Sequence, residues 1–160
     1  MAADEIFPGW VMTRWSAPLA AICAVAALAA PAAAQVPDPF ARQLAQALAQ
    51  NDAAQSDFGY VRAAGPFAGG LSAGMSRRFP VTLRAGQTYR AIGVCDARCG
   101  DLDMRLFDPS GALISQDTLP DRTPVTEVNP QFTGGHVIEV QMTRCADAPC
   151  YFAFNVYARR

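Results

Sequence analysis

Two runs decide the fold: RFPVTLRAGQTYRAIGVCD over residues 78–96 and DLDMRLFDPSGALISQD over residues 101–117. In the first, Phe79, Val81 and Leu83 alternate with Arg78, Thr82 and Arg84, the period of a strand with one face buried and one wet. Ala85-Gly86 closes it and QTYRAIGVC opens the next strand, a pattern that predicts a hairpin. In the second run Leu102, Met104 and Leu106 alternate with Asp101, Asp103 and Arg105. The alternation stops at Asp108-Pro109-Ser110-Gly111, which has the residues a β-turn needs, and ALISQD follows as the partner strand.

Downstream, Pro120, Asp121 and Pro124 mark a loop, Val125 to Val128 a short strand, and Pro130 to Gly135 a further turn. Ile138, Val140 and Met142 form one apolar face, and beyond the CADAPC loop Phe152, Phe154 and Val156 form another, again read as a hairpin. Seven to eight short strands with turn signals between them predict an all-β chain, a β-sandwich or jelly roll over residues 58–160.

Upstream, Asp38 and Pro39 have the character of an N-cap and first helical residue, and FARQLAQALAQ sets Phe40, Leu44, Ala47 and Leu48 on one side of a short helix ending at Gln50. Its apolar side must bury against the sandwich or against a partner, in which case deleting residues 35–57 would leave the fold intact. Asn51 to Asp57 is expected as flexible linker, and Gly65-Pro66 and Gly69-Gly70 as loop breakers. Tyr60, Val61 and Leu71 would add a short strand each. Further back, Leu19 to Ala30 is an apolar run of twelve residues between Arg14 and the triplet Ala32-Ala33-Ala34, the order of a cleavable signal peptide over residues 1–34. Asp4 and Glu5 suit such a leader poorly and place the expected start at Met12. The run is shorter than the roughly 20 residues a membrane-crossing helix needs.

Beyond residue 34 the chain holds twelve arginines, twelve acidic residues and no lysine, a balance without the electrostatic footprint of a nucleic-acid or anionic-membrane binder. Arg77-Arg78 reads as the solvated lip of a strand. Four cysteines remain, Cys95 and Cys99 in CDARC and Cys145 and Cys150 in CADAPC. An even count in an exported chain indicates disulfides, for which three pairings exist. The tight spacings favour two local loops, whereas a four-thiolate zinc site fits those gaps poorly in an oxidising compartment.

The runs FPVTLRAGQTYRAIGVCD, DLDMRLFDPSGALISQD and TGGHVIEVQM, in that order, resemble the bacterial pre-peptidase C-terminal domain across about residues 58–158. The most specific piece is the string of Asp101, Asp103, Asp108, Pro109 and Gly111 after the AGQTY turn. The resemblance implies an exported β-sandwich accessory module, binding calcium through acidic loops in some relatives and engaging an extracellular polymer such as collagen in others. The two short cysteine loops depart from the general family pattern, and no catalytic domain stands beside the module in this sequence.

Read as chemistry, Asp101 and Asp103 project on one strand face with Cα atoms about 7 Å apart. Calcium takes six to eight oxygens, and Asp96, Asp108, Asp117 or loop carbonyls would complete the set. The competing reading makes Asp101 and Asp103 the polar face of a half-buried strand and Asp108 the cap of its own turn. His136, in register with Ile138 and Val140, is the sole histidine, and no serine lies in a nucleophile-elbow context. A carboxylate pair such as Asp103 with Glu139 or Asp117 would be needed for glycosidic chemistry. Tyr60, Tyr89 and Tyr157 are candidates for a partner-binding rim, each with a polar tip to place. These features favour a non-catalytic binding module engaging a protein or polymer. The alternatives are a calcium-dependent structural or adhesive module and an unrecognised hydrolase.

Overall fold

A computed structural model describes residues 36–160; the expected signal peptide and start at Met12 lie outside the described residues. The described chain is one helix followed by eight strands: α1 (Asp38–Asp57), β1 (Tyr60–Leu71), β2 (Ser76–Leu83), β3 (Tyr89–Cys95), β4 (Cys99–Phe107), β5 (Leu113–Asp117), β6 (Val125–Val128), β7 (Gly134–Cys145) and β8 (Cys150–Arg159). The strands form two antiparallel sheets of four, ordered β1-β8-β3-β6 and β2-β7-β4-β5. This is the expected all-β sandwich.

Between the sheets lies the main core, built from the inward positions the alternation marked: Phe79, Val81 and Leu83 of β2, Leu102, Met104 and Leu106 of β4, Ile138, Val140 and Met142 of β7, and Phe152, Phe154 and Val156 of β8. Phe79 meets Phe152 and Phe154 edge-on across the sandwich, ring centroids 5.9 and 5.1 Å apart. Of the three expected hairpins, only β4–β5 is one. β2 and β3 belong to different sheets, as do β7 and β8, so both links cross the core. The physical reason is that two strands facing each other across a core show the same alternation as two strands paired side by side.

The two central strands of the first sheet, β8 and β3, are buried on both faces. Helix α1 lies on the outer side of that sheet, where Leu44 and Leu48 close over Val94 and Ala153. The helix also runs nearly two turns past its expected end, so residues 51–57 are helical rather than a flexible linker. Side chains from that extension are tied to the sheet: Tyr157 Oη donates to Asp52 Oδ1 at 2.8 Å, Asn155 Nδ2 donates to the same oxygen at 3.0 Å, and Arg90 Nη1 donates to Gln55 Oε1 at 3.1 Å. Burial and the nearby Asp52 carboxylate push the Tyr157 hydroxyl up to about 12, although Asn155 opposes the shift. At the other end Pro37 occupies the N-cap position without a side-chain cap, and Asp38 is already helical.

Residues 60–71, expected as short strands broken by glycines, form one strand, β1, with register shifts between Arg62 and Ala64 and between Ala64 and Phe67. Gly65 sits in that irregularity at φ +105°, where a Cβ would come within 2.6 Å of Asn155 Oδ1. Only glycine combines that backbone angle with so close an approach.

Candidate functional site

The acidic residues divide between two places. Asp101 and Asp103 share the outer face of β4, as period two requires, and both are buried, at 6% and 7% exposure. Asp101 Oδ2 lies 3.6 Å from Arg144 Nε, while its Oδ1 is buried without a hydrogen-bond partner. Asp103 Oδ2 lies 3.4 Å from Arg105 Nη2. Burial raises the Asp103 carboxyl above its ordinary range; Thr143 and Arg105 oppose that shift, and Asp101 and Asp117 reinforce it. Asp117 is committed to backbone, Oδ1 accepting from Leu119 N–H at 3.1 Å and Oδ2 from Val125 N–H at 2.8 Å.

Asp108 stands apart, five residues from Asp103 and so about 16 Å along the strand direction. It caps its own turn, accepting from the Ser110 hydroxyl at 2.6 Å and from the Ser110 and Ala112 N–H groups at 2.8 and 2.9 Å. Those bonds, the Ser110 hydroxyl foremost, hold its carboxyl below the usual range. Asp96 is also elsewhere, fully buried in the CDARC loop. Among the described residues no three His, Cys, Asp or Glu side chains converge as an ion's ligand set. Asp101, Asp103 and Asp117 are therefore neighbours in charge, with Asp108 separate.

The three rim tyrosines need correction. Tyr60, Tyr89 and Tyr157 are 3%, 7% and 1% exposed. Tyr60 and Tyr157 pack with Ile92, Tyr60 donating to Glu127 at 3.2 Å and Tyr157 to Asp52. Tyr89 enters the inter-sheet core, its hydroxyl accepting from Arg84 N–H at 3.2 Å. A tyrosine on a covered strand face, whether covered by the facing sheet or by a helix, buries its ring and satisfies its hydroxyl on a nearby group.

The cysteines pair locally. Cys95–Cys99 and Cys145–Cys150 have Cα separations of 5.9 and 5.7 Å, within disulfide range. The two loops are knit together through Asp96. Burial alone would raise its carboxyl, but the Arg98 guanidinium and the N–H groups of Tyr151 and Arg98 outweigh that and hold it low. Arg98 in turn stacks on Phe40 of α1, 4.0 Å from the ring centroid.

The two long sides of the sandwich are unlike. On the β1–β2 side both edge strands carry a proline, Pro66 and Pro80, which lacks the N–H an added strand would use. A cleft of about 410 Å³ opens there, lined by Ala64, Leu83, Arg84, Gln87, Tyr89 and Val156. On the β5–β6 side neither strand contains proline. Leu113, Ile114, Leu119, Val125 and Phe132, five of the seven large apolar side chains exposed among the described residues, belong to these two strands or to the links that follow them. Ile114, Phe132 and Val128 frame a cavity of about 190 Å³ with His136 in its wall. His136 is 1% exposed, in the expected register with Ile138 and Val140, with Nδ1 3.0 Å from the Gly134 carbonyl. Sequence reasoning missed this side, although the adjacent Leu113 and Ile114 carried a signal: two consecutive apolar residues on a strand cannot both face inward.

No protein-family model and no curated protein matches the chain.

Proposed function

We propose that the protein is an exported, non-catalytic binding or accessory module resembling the pre-peptidase C-terminal domain, and that it engages a protein or extracellular polymer through its β5–β6 side. The observation that carries this reading is the exposure of Leu113, Ile114, Leu119, Val125 and Phe132 on β5, β6 and the links that follow them, with Ile114 and Phe132 lining the His136 cavity. Exposed apolar patches of this kind, on an unprotected sheet edge, mark interaction surfaces. Two disulfides, and the lack among the described residues of any helix long and apolar enough to cross a membrane, are compatible with export.

Co-sedimentation with fibrillar collagen and with purified peptidoglycan tests it. The reading expects the chain to pellet with one polymer and the double variant Ile114→Asp, Phe132→Asp to lose binding about tenfold, since the anchors of an interface carry most of its affinity. Equal pelleting by both proteins, or by neither, sinks it.

One observation favours a second reading, a calcium-dependent structural or adhesive module: the buried, unpartnered Asp101 Oδ1 on the same strand face as Asp103. An ion bound to the native state raises its melting temperature by mass action. This reading expects a rise of several degrees in millimolar calcium over chelator, absent in Asp101→Ala. No rise removes it.

A further inference from the structure

The geometry points to a thiol–disulfide exchange site made of all four cysteines, in which a third bond, Cys99–Cys145, is reachable from the two local ones. Cys99 lies opposite Cys145 in the β4–β7 register. Ala146 N–H donates to the Arg98 carbonyl at 2.9 Å, so Arg98–Ala146 is the hydrogen-bonded position of this antiparallel pair. Cys99–Cys145 is then the adjoining non-hydrogen-bonded position, where facing side chains are closest and Cα atoms stand about 4.5 Å apart. That separation lies inside the window a disulfide requires. Two facing residues also share one side of their sheet, and both of these pack on the inter-sheet core with Cys95 and Cys150.

Exposure sets the order of events. Cys95, Cys99 and Cys150 are buried, and Cys145 is partly exposed, so a dithiol arriving from solvent meets Cys145 first. Its thiolate attacks Cys145 Sγ, the Cys145–Cys150 bond breaks, and Cys150 leaves as a thiolate that takes a proton. The second thiol of the reductant closes on the first, which becomes the small-molecule disulfide and releases Cys145 as thiolate. Cys145 then attacks Cys99 Sγ, the Cys95–Cys99 bond breaks, and Cys95 leaves as thiolate and is protonated. The dithiol has lost two electrons, and the protein has gained two and carries Cys99–Cys145 with thiols at Cys95 and Cys150. Proximity makes the intramolecular step fast relative to attack by a second reductant molecule. Because the CDARC loop bears Arg98 against Phe40 and donates its Ala97 N–H to Gln43 Oε1, 3.4 Å away, opening it loosens the seat of α1's first turns.

The test is stoichiometric reduction of the full chain with dithiothreitol, alkylation with N-ethylmaleimide, and non-reducing peptide mapping. The singly reduced species is expected to carry a peptide linked through Cys99 and Cys145, with label on Cys95 and Cys150. Label on both members of one local loop, with the other loop intact, overturns the proposal. Cys150→Ser supplies an independent reading without reductant: label is expected at Cys95, and label at Cys145 with Cys95–Cys99 intact contradicts the exchange.

Discussion

The outer faces of the two sheets are opposites. Beneath α1, β8 reads CYFAFNVY and is buried at nearly every position, the two faces alternately meeting the core and the helix. On the bare sheet β7 reads HVIEVQM, with His136, Ile138, Val140 and Met142 buried and the residues between them only half-covered. There Arg78, Glu139 and Arg105 line up across three strands, Arg78 Nε 2.7 Å from Glu139 and Arg105 Nη1 3.9 Å from it. A strand that loses its alternation announces a second cover, and a strand that keeps it has one wet face. The helix is thus a third layer of the fold.

That comparison breaks most visibly at the helix. Leu44→Ala combined with Leu48→Ala, at two of the most buried positions of α1, is expected to cost about 5 kcal/mol, since each buried leucine truncated to alanine costs roughly 2–5 kcal/mol. That rivals the whole stability of a domain of this size. Urea unfolding followed by far-ultraviolet circular dichroism would show the midpoint collapse. An unchanged midpoint would return the helix to the status of a free docking element.

Two aspartates sharpen it with opposite signs. Asp96 is held below its unfolded value of 3.8. Its contribution to stability is therefore complete above that value and is lost as pH falls through the lower folded one. Asp96→Ala, which strands the Arg98 guanidinium and two N–H groups, is expected to cost about 3 kcal/mol at pH 7. Asp103 is held above 3.8, so it weighs against the fold at neutral pH. That cost fades as pH drops through its raised value and is gone below the unfolded one. Asp103→Asn should stabilise slightly, by under about 1 kcal/mol at pH 7, and flatten the stability profile between neutrality and pH 4. Melting curves across pH 3–7 check both.

The smallest effect is expected on the bare face itself. Glu139→Ala removes the carboxylate shared by Arg78 and Arg105. A pair open to solvent is worth about 0.5 kcal/mol and less in high salt. A loss above about 2 kcal/mol, measured by urea unfolding, would mean that this face is covered.

Much of this was legible in the residues. Alternation in residues 78–83, 101–107 and 136–142 located the strands and their inward sides, because burial on one face imposes period two regardless of pairing partner. For the same reason it mistook β2–β3 and β7–β8 for hairpins: partners depend on which sheet a strand joins. The helix overran its expected end because Asp52 and Gln55 are anchored by Tyr157, Asn155 and Arg90, contacts more than thirty positions away. One of those contacts also explains Tyr157, and Tyr60 and Tyr89 likewise find long-range or local partners, Glu127 and the Arg84 N–H, for their hydroxyls. Gly65-Pro66 looked like a loop, but the strand bulges there to clear Asn155.

Packed over β3 and β8, α1 is expected to open together with the sheet it covers, as one cooperative unit. Native-state hydrogen exchange on the full chain tests this most directly, by comparing amides in the Leu44–Leu48 turn with amides of β8 from Phe152 to Val156. If the helix is a structural layer, the two sets open with free energies within about 1 kcal/mol of each other. Helix amides that exchange by an independent opening several kcal/mol cheaper, while β8 stays protected, would contradict it.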